Sequence, residues 1–355
     1  MKLSILGLIG IEVDPNYPWK DTLFFYNDEL INNNVNFDKC NVYIKVNYVK
    51  KIDAKDCRDL GNGILIGDNF IIDKEYGVKI EKQKGIFYLS TTQECNEWLI
   101  ICFQLALLEQ NLTFIHAAGL EKEDQVLLLP SWGGVGKTAT VVRMIKEQKW
   151  KLLGDDLIII NSNGEVIPFL KPFVIYGYHK SLFPSIFSEK KAIIRNELIS
   201  NWLRKMIPTL KKILRITPRV LAFLRKYNPH SIRVSPLKIF DINQLSSGGK
   251  LKQAYWLERT ISHKSDLKRL KVSQLASKVT AVTIMEIFGD RINAVNVMCG
   301  NGVLQYDELY LKMYKIIRDA FNNTETFQLN ISSTVPIDAV GSEVITFLNK
   351  NKVMI

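Results

Sequence analysis

The sequence predicts an α/β fold, α+β overall, and three observations lead to that class. Gln125–Pro130 is an apolar run typical of a buried strand, and Thr138–Gln148 after it has the pattern of a helix, with a glycine-rich turn between them. Residues 1 to about 92 are rich in β-branched and aromatic residues punctuated by Gly-Asn turns. Strand-like and helix-like segments alternate again after residue 237.

The N-terminal part is predicted as a β-rich accessory domain, residues 1–110. Asn41–Val49 and Ile86–Ser90 have the composition of strands. Thr92 is predicted to cap a helix from Gln93 to about Gln110, whose broad apolar side would pack the accessory sheet onto the rest of the chain.

The later segments alternate in type. Leu237–Ile242, Ala254–Leu257 and Glu325–Ile331 are predicted as strands. The predicted helices are Ser265–Ser277, Val279–Phe288, Leu309–Asn322 and about Asp338–Asn349.

The turn between the first strand and helix carries the strongest motif. Its residues are Ser131, Trp132, Gly133, Gly134, Val135, Gly136, Lys137 and Thr138. This is a P-loop in which Ser131 occupies the position of the first glycine. In such a loop the backbone N–H groups cradle phosphates, the lysine reaches the β- and γ-phosphates, and the threonine hydroxyl holds Mg²⁺. We therefore predict that residues 131–138 bind a nucleoside triphosphate, with Lys137 on the phosphates and Thr138 on Mg²⁺.

An acidic pair follows the helix. Asp155 and Asp156 lie between the short strand Trp150–Gly154 and the apolar run Leu157–Ile160. Two adjacent carboxylates at a strand edge are costly unless a metal ion or a proton transfer uses them. One would complete the Mg²⁺ shell beside Thr138, and the other would accept the proton of an attacking hydroxyl. The sequence does not assign the two roles, and a plain Asp-Asp turn is the alternative.

Two further features complete an ordered set. His116 lies in an apolar run before the P-loop strand, and Lys171-Pro172 follows the acidic pair. Residues 105–172 therefore resemble the HPr kinase family and its wider HPr-kinase-related group, relatives of phosphoenolpyruvate carboxykinase. The resemblance implies a P-loop catalytic domain of that type over residues 111–355. It also implies ATP and Mg²⁺ as cofactors. The site residues that it implies are His116, Lys137, Asp155 and Asp156 for catalysis, Thr138, Asp155 and Asp156 for the metal, and Lys171 for the nucleotide.

The chain departs from that family at two points. Ser131 replaces the leading glycine, and no Glu-x-Arg-Gly-x-Gly stretch follows Asp156. The resemblance is therefore to the looser relatives, which include kinases of lasso-peptide biosynthesis, and not to HPr kinase itself. It implies a Mg-ATP-dependent kinase acting on a hydroxyl, with a serine of a peptide or protein in a natural-product (RiPP) pathway as the preferred acceptor. The alternatives are a small-molecule or sugar kinase and a nucleotide-binding module without transferase activity.

Three single residues keep two interpretations each. His116 is either close to the nucleotide or a satisfied core histidine. Lys171 either neutralises phosphate charge or extends along a strand edge into solvent. Arg233 is either a cation for the transition state or a solvated strand-edge residue.

The net charge is concentrated in one segment. Between Lys180 and Asp241 fourteen Lys and Arg residues face three acidic residues, and the difference equals the chain's whole net charge of +11. Residues 180–230 are predicted as a basic helical insert with an apolar stripe. Residues 180–240 would dock an acidic peptide or protein acceptor, lie peripherally on an anionic membrane, or form a solvated insert. No nucleic-acid motif accompanies the charge, so we do not expect a nucleic-acid partner.

Composition limits the remaining classes. The chain has 355 residues, enough for a catalytic domain with an accessory part. Its five cysteines form no C-x-x-C pair, which argues against a disulfide framework or a structural zinc site. The apolar N-terminal run is short and lacks a small-residue cleavage site, so we expect a first strand and a cytoplasmic location.

Overall fold

Two eight-stranded sheets form the framework of the described chain. The computed structural model describes residues 2–19, 37–61, 63–189, 231–336 and 339–350. Helices cover both sheets, so the predicted mixture of helices and strands, α+β overall, is confirmed.

The first sheet is built from the N-terminal part. Its strands are β1 (Lys2–Ile5), β2 (Ile9–Val13), β3 (Val42–Tyr48), β4 (Arg58–Asp59), β5 (Ile64–Ile66), β6 (Phe70–Asp73), β7 (Val78–Gln83) and β8 (Ile86–Thr91). They run in the order β1-β2-β3-β8-β7-β6-β5-β4. Buried and half-buried residues alternate along β3 and β8, as expected of strands with one face on a core. The strand predictions for this part are confirmed.

One buried helix, α1 (Asn96–Glu109), lies between the two sheets. Trp98 Nε1 donates to Asp73 Oδ2 of the first sheet at 3.0 Å, and Gln104 Nε2 donates to Thr113 Oγ1 of the second at 2.9 Å. The predicted cap is wrong: the helix begins after Cys95 without a side-chain cap, and the Thr92 hydroxyl donates to the Gly77 carbonyl instead.

The second sheet leads into the predicted P-loop, residues 131–138. The remaining strands are β9 (Leu112–Lys122), β10 (Gln125–Pro130), β11 (Lys151–Gly154), β12 (Leu157–Asn161), β13 (Glu165–Ile167), β14 (Phe173–Tyr176), β15 (Ser231–Val234), β16 (Gly249–Thr260), β17 (Asp266–Arg269) and β18 (Glu325–Ser332). β14 and β15 pair with each other, and the others run in the order β10-β9-β12-β13-β16-β18-β17, with β11 beside β9. β10 also pairs with β16, which joins the two ends of that path. β10, β16 and β18 are parallel, and the remaining pairs are antiparallel.

Helices cover both faces of this sheet. After α1 they are α2 (Lys137–Gln148), α3 (Pro184–Glu189), α4 (Val272–Phe288), α5 (Ile292–Gly300), α6 (Lys312–Phe321, entered through one π-turn) and α7 (Val340–Lys350). α4 and α6 bury one face of the sheet, where Ile115 and Leu128 contact Leu275 and Ile317 in one apolar cluster. The other face shares a continuous core with α1 and the first sheet. The domain boundary at residue 110 therefore stays a prediction.

Two predicted elements of the C-terminal half are wrong. Leu237–Ile242 forms short 3₁₀ turns rather than a strand. Ser265–Ser277 is a strand followed by the start of α4 rather than one helix, because Asp266–Arg269 pairs with β18 at the sheet edge. That pairing is a long-range contact that overrides the local helical pattern.

The predicted basic insert at 180–230 lies outside the described residues beyond Glu189. Within the described ranges, none of the helices combines the length and the apolar character that crossing a bilayer requires. All five cysteines are free thiols.

Candidate functional site

The P-loop continues β10 directly into α2. Ser131 forms a parallel bridge with Leu257, so the strand extends one residue into the loop. Gly134 and Gly136 take φ values of 75° and 103°, the left-handed region that favours glycine, whereas Ser131 does not. A Cβ at Gly136 would also meet Val340 Cγ1 at 2.5 Å. The loop geometry therefore requires glycine at 134 and 136 but tolerates serine at 131.

Lys137 is held against the loop. Its side chain is buried, and Nζ donates to the Ser131 carbonyl and hydroxyl at 3.0 Å each and to the Trp132 carbonyl at 3.1 Å. Nζ also lies 3.0 Å from His116 Nε2. Burial lowers the pKa of Lys137, and the carboxylates of Asp156 and Asp155 oppose that shift. Ser131 thus contributes an oxygen that the usual glycine cannot provide.

Asp155 lies beside the P-loop threonine. The Thr138 hydroxyl donates to Asp155 Oδ2 at 2.8 Å, and the buried Oδ1 has no hydrogen-bond partner among the described residues. Burial raises the pKa of Asp155 to about 7, although the Thr138 hydrogen bond opposes the shift. An unpaired buried carboxylate oxygen next to a hydroxyl is a fitting pair of ligands for a hard cation such as Mg²⁺.

Asp156 has the opposite environment. Its Oδ2 forms an ion pair with Lys171 Nζ, and its Oδ1 lies 3.2 Å from His116 Nδ1. Burial alone would raise the pKa of Asp156, but Lys171 and His116 hold that pKa well below its usual range. Lys137 Nζ lies 3.0 Å from Nε2 of His116 and can only donate, so the tautomer of a neutral imidazole that matches this contact carries its proton on Nδ1, toward Asp156.

The sheet explains why the two carboxylates sit together. Asp155 and Asp156 are the two residues between β11 and β12, both of which pair with β9. β12 begins opposite His116, and the Ala117 N–H donates to the Asp156 carbonyl at 3.2 Å. His116 and the acidic pair are thus brought together by adjacent strands.

Glu286 is a site residue that sequence reasoning missed. It lies near the end of α4, and its Oε1 is 3.8 Å from His116 Nε2. Ligand atoms of His116, Asp156 and Glu286 lie within 4.8 Å of one another. However, the Lys137 ammonium already occupies the side of Nε2, so Thr138 and Asp155 are the better-fitting cation ligands. No local pattern marks Glu286 as a site residue: it is simply one of two charged residues on that helix, the other being Lys278.

These residues surround one cavity of about 350 Å³. Its lining includes most of the predicted site, namely His116, Gly133, Gly134, Val135, Gly136, Lys137, Thr138, Asp155, Asp156 and Lys171. Ser131 and Trp132 are not in the lining: Ser131 is buried behind the loop, and the Trp132 side chain is 47% exposed. Further lining residues that the sequence did not indicate are Ala139, Pro172, Phe173, Val174, Tyr176, His179, Leu182 and Glu286.

Arg233 lies on β15 opposite Val174, is exposed, and does not line the cavity. Its position fits the solvated strand-edge interpretation rather than a cation for the transition state.

Comparison of the chain with known proteins adds no family. No protein-family model matches the sequence, and no curated protein matches it either. The resemblance to HPr-kinase-related proteins therefore stays a prediction.

Proposed function

We propose that the protein is a Mg-ATP-dependent kinase that transfers the γ-phosphate to a hydroxyl. One observation carries this proposal. Thr138 directly follows Lys137 at the start of α2, and its hydroxyl donates to Asp155, whose other buried carboxylate oxygen is unpaired among the described residues. A P-loop lysine, a threonine hydroxyl and a buried carboxylate are the groups that a Mg-nucleoside triphosphate requires.

The chain's own residues divide the work. Lys137 and the loop N–H groups would bind the β- and γ-phosphates, at the positive end of α2. Thr138 and Asp155 would hold Mg²⁺, which when bound neutralises phosphate charge and orients the γ-phosphate for transfer. Lys171 adds a second ammonium to the cavity, next to Asp156.

The transfer also needs a proton acceptor. As the acceptor oxygen bonds to the γ-phosphorus and the bond to the β-phosphate oxygen breaks, the hydroxyl proton passes to a carboxylate. With Asp155 assigned to the metal, Asp156 is the remaining member of the acidic pair. Glu286 is a second carboxylate on the same cavity, and its side chain is 41% exposed.

The acceptor class rests on the resemblance. A serine of a peptide or protein in a natural-product pathway is the preferred acceptor, and a sugar or other small-molecule hydroxyl is the alternative. A nucleotide-binding module without transferase activity is the rival function. The four contacts that hold Lys137 against the loop favour that rival, because the ammonium must leave some of them to reach a phosphate.

Two measurements test the proposal. Binding of Mg-ATP is measured by calorimetry, and transfer is measured with γ-labelled ATP and a peptide encoded beside the gene. The same peptide with each serine replaced by alanine is the control. We expect binding, and label only on the serine-containing peptide. Binding without transfer to any hydroxyl, including water, would support the rival, and absence of binding contradicts both.

A further inference from the structure

The residues that line the cavity form two chemically different groups. The first group comprises the residues already assigned to phosphate, metal and proton transfer, including Lys137, Asp155, Asp156, Lys171 and Glu286, and it is held together around His116. These charges suit the triphosphate and the acceptor hydroxyl. The other residues that line the cavity have no role in the phosphate transfer proposed above.

The second group is an aromatic and apolar wall, which we define as Phe173, Val174, Tyr176, His179 and Leu182. His179 is only 7% exposed, and burial lowers its pKa to about 4, so the ring is neutral at physiological pH. A wall without an ionised side chain does not serve a phosphate or a metal ion. It suits a flat, uncharged ring that is largely removed from water.

Ring contacts behind the wall hold it in place. The His179 ring lies 6.0 Å from that of Tyr176 and 6.1 Å from that of Phe183, both edge to face. The Phe173 ring in turn contacts Phe183 at 6.4 Å and Phe240 at 5.9 Å. The wall is therefore packed against the core, as expected of a largely pre-formed binding site.

The wall also contacts the helix that follows the predicted P-loop. Lys137 is the residue of that motif that reaches the β- and γ-phosphates, and Glu286 lies near it across His116, so the nucleoside would extend away from both. Ala139 lines the cavity just after Thr138, and Lys146 occupies the same face of α2 two turns later. Lys146 Nζ donates to the Leu182 carbonyl at 3.4 Å. The segment that ends at Leu182 thus runs alongside the helix face that leads away from the phosphates.

From this arrangement we infer that the wall binds the base of the nucleotide, with Tyr176 and His179 as the residues that contact an aromatic purine ring. The inference rests on the proposed function, because it presumes a triphosphate on the P-loop. The Tyr176 N–H donates to His179 Nδ1 at 3.3 Å, which fixes the orientation of the imidazole ring.

The test compares two ligands that differ only in the nucleoside. Dissociation constants for Mg-ATP and Mg-tripolyphosphate are measured by calorimetry on wild type, Tyr176→Ala and His179→Ala. Tyr176→Phe keeps the ring, and Tyr306→Ala removes an exposed aromatic residue outside the cavity. Tyr176 is 39% exposed, so its variants are expected to fold even where His179→Ala does not.

We expect wild type to bind Mg-ATP at least tenfold more tightly than Mg-tripolyphosphate. Tyr176→Ala and His179→Ala should weaken Mg-ATP about tenfold, the scale of losing one base–aromatic contact, and leave tripolyphosphate within twofold. Tyr176→Phe and Tyr306→Ala should resemble wild type.

If the alanine variants at Tyr176 and His179 leave Mg-ATP binding unchanged, or weaken the binding of both ligands equally, the wall does not hold the base. If wild type binds Mg-tripolyphosphate as tightly as Mg-ATP, this inference fails but the proposed phosphate site stands. If wild type binds neither ligand, the proposed function itself fails.

Discussion

The two eight-stranded sheets differ in what they bury. The first sheet alternates buried and half-buried positions along β3, β7 and β8, and its buried polar residues are few: Ser4, Asp73 and Thr91. The second sheet has helices on both faces, and β9 is buried over almost its whole length, with His116 and Glu121 in it. A strand covered on both faces can keep an ionisable group away from water. Charges interact more strongly in such an interior than they do in water. The first sheet therefore contributes mainly stability, whereas the second sheet also positions the candidate site.

The two sheets are nevertheless joined by a buried ion network. Arg291, which follows α4, is 4% exposed and lies 3.6 Å from Asp73 of the first sheet. It also contacts Glu97 of α1 at 3.1 Å and stacks on the Tyr76 ring, whose centroid is 3.1 Å away. The separation of roles between the sheets is therefore a question that variants can answer.

The largest expected effect is on stability, in the first sheet. Phe87→Ala removes a ring that is 2% exposed at the centre of that sheet. We expect the free energy of unfolding to fall by about 3–5 kcal/mol, measured by urea denaturation. The dissociation constant of Mg-ATP for the folded protein should stay within twofold. A tenfold change in that constant would show that the sheets do not have separate roles.

The matching change, at Lys137 beside the second sheet, should lower the rate of turnover rather than the stability. Lys137→Ala removes the ammonium proposed to bind the phosphates, so we expect phosphate transfer, or ATP hydrolysis with water as the acceptor, to slow by about a hundredfold or more. That corresponds to about 2.7 kcal/mol. Lys45→Ala in β3, whose ammonium pairs with Glu12 at 3.2 Å, is the matched control and should turn over normally. Near-normal turnover by folded Lys137→Ala protein would contradict the kinase proposal.

The acidic pair provides a finer comparison within the second sheet. Asp155→Asn should require about tenfold more Mg²⁺ for half-maximal turnover, because a ligand to the ion is lost. Asp156→Asn should bind Mg-ATP with normal affinity and still transfer phosphate slowly. Both rates are measured over a Mg²⁺ titration. Identical Mg²⁺ dependence in the two variants would show that the structure's asymmetry between Asp155 and Asp156 has no functional meaning.

A smaller effect is expected in the pH dependence of stability. The raised pKa of Asp155, about 7, means that its stabilising contribution is complete below the unfolded-state pKa near 4 and is lost as pH rises through 7. The side chain in Asp155→Asn stays neutral at every pH. The free energy of unfolding of the variant minus that of wild type should therefore increase between pH 4 and pH 7 and stay constant at higher pH. Added Mg²⁺ at pH 8 should stabilise wild type more than the variant. A difference between the proteins that does not change with pH would contradict the raised pKa.

The smallest expected effect concerns the basic segment, which lies outside the described residues. Replacing Lys205, Lys211, Lys212 and Arg215 with Glu should weaken binding of an acidic peptide acceptor and leave Mg-ATP affinity unchanged. Raising the salt concentration should produce part of the same change in wild type, since ionic screening acts over about 8 Å at physiological salt. Unchanged binding of both the acceptor and anionic vesicles would identify a solvated insert.

The features that the sequence alone predicts are local. The strand, glycine-rich turn and helix that contain Lys137 and Thr138 follow from residue periodicity and from conformations that favour glycine. The acidic pair was recognisable because two adjacent carboxylates between apolar runs are costly. Each of these signals lies within a few residues along the chain, which is the distance over which sequence patterns operate.

The remaining features depend on contacts between residues that are distant in sequence, so only the tertiary structure shows them. Glu286 reaches His116 only because α4 packs against β9. The difference between Asp155 and Asp156 comes from their neighbours Thr138, Lys171 and His116, and no property of two identical side chains could predict it. The strand Asp266–Arg269 likewise forms because β18 offers an edge to pair with, which outweighs its local helical preference.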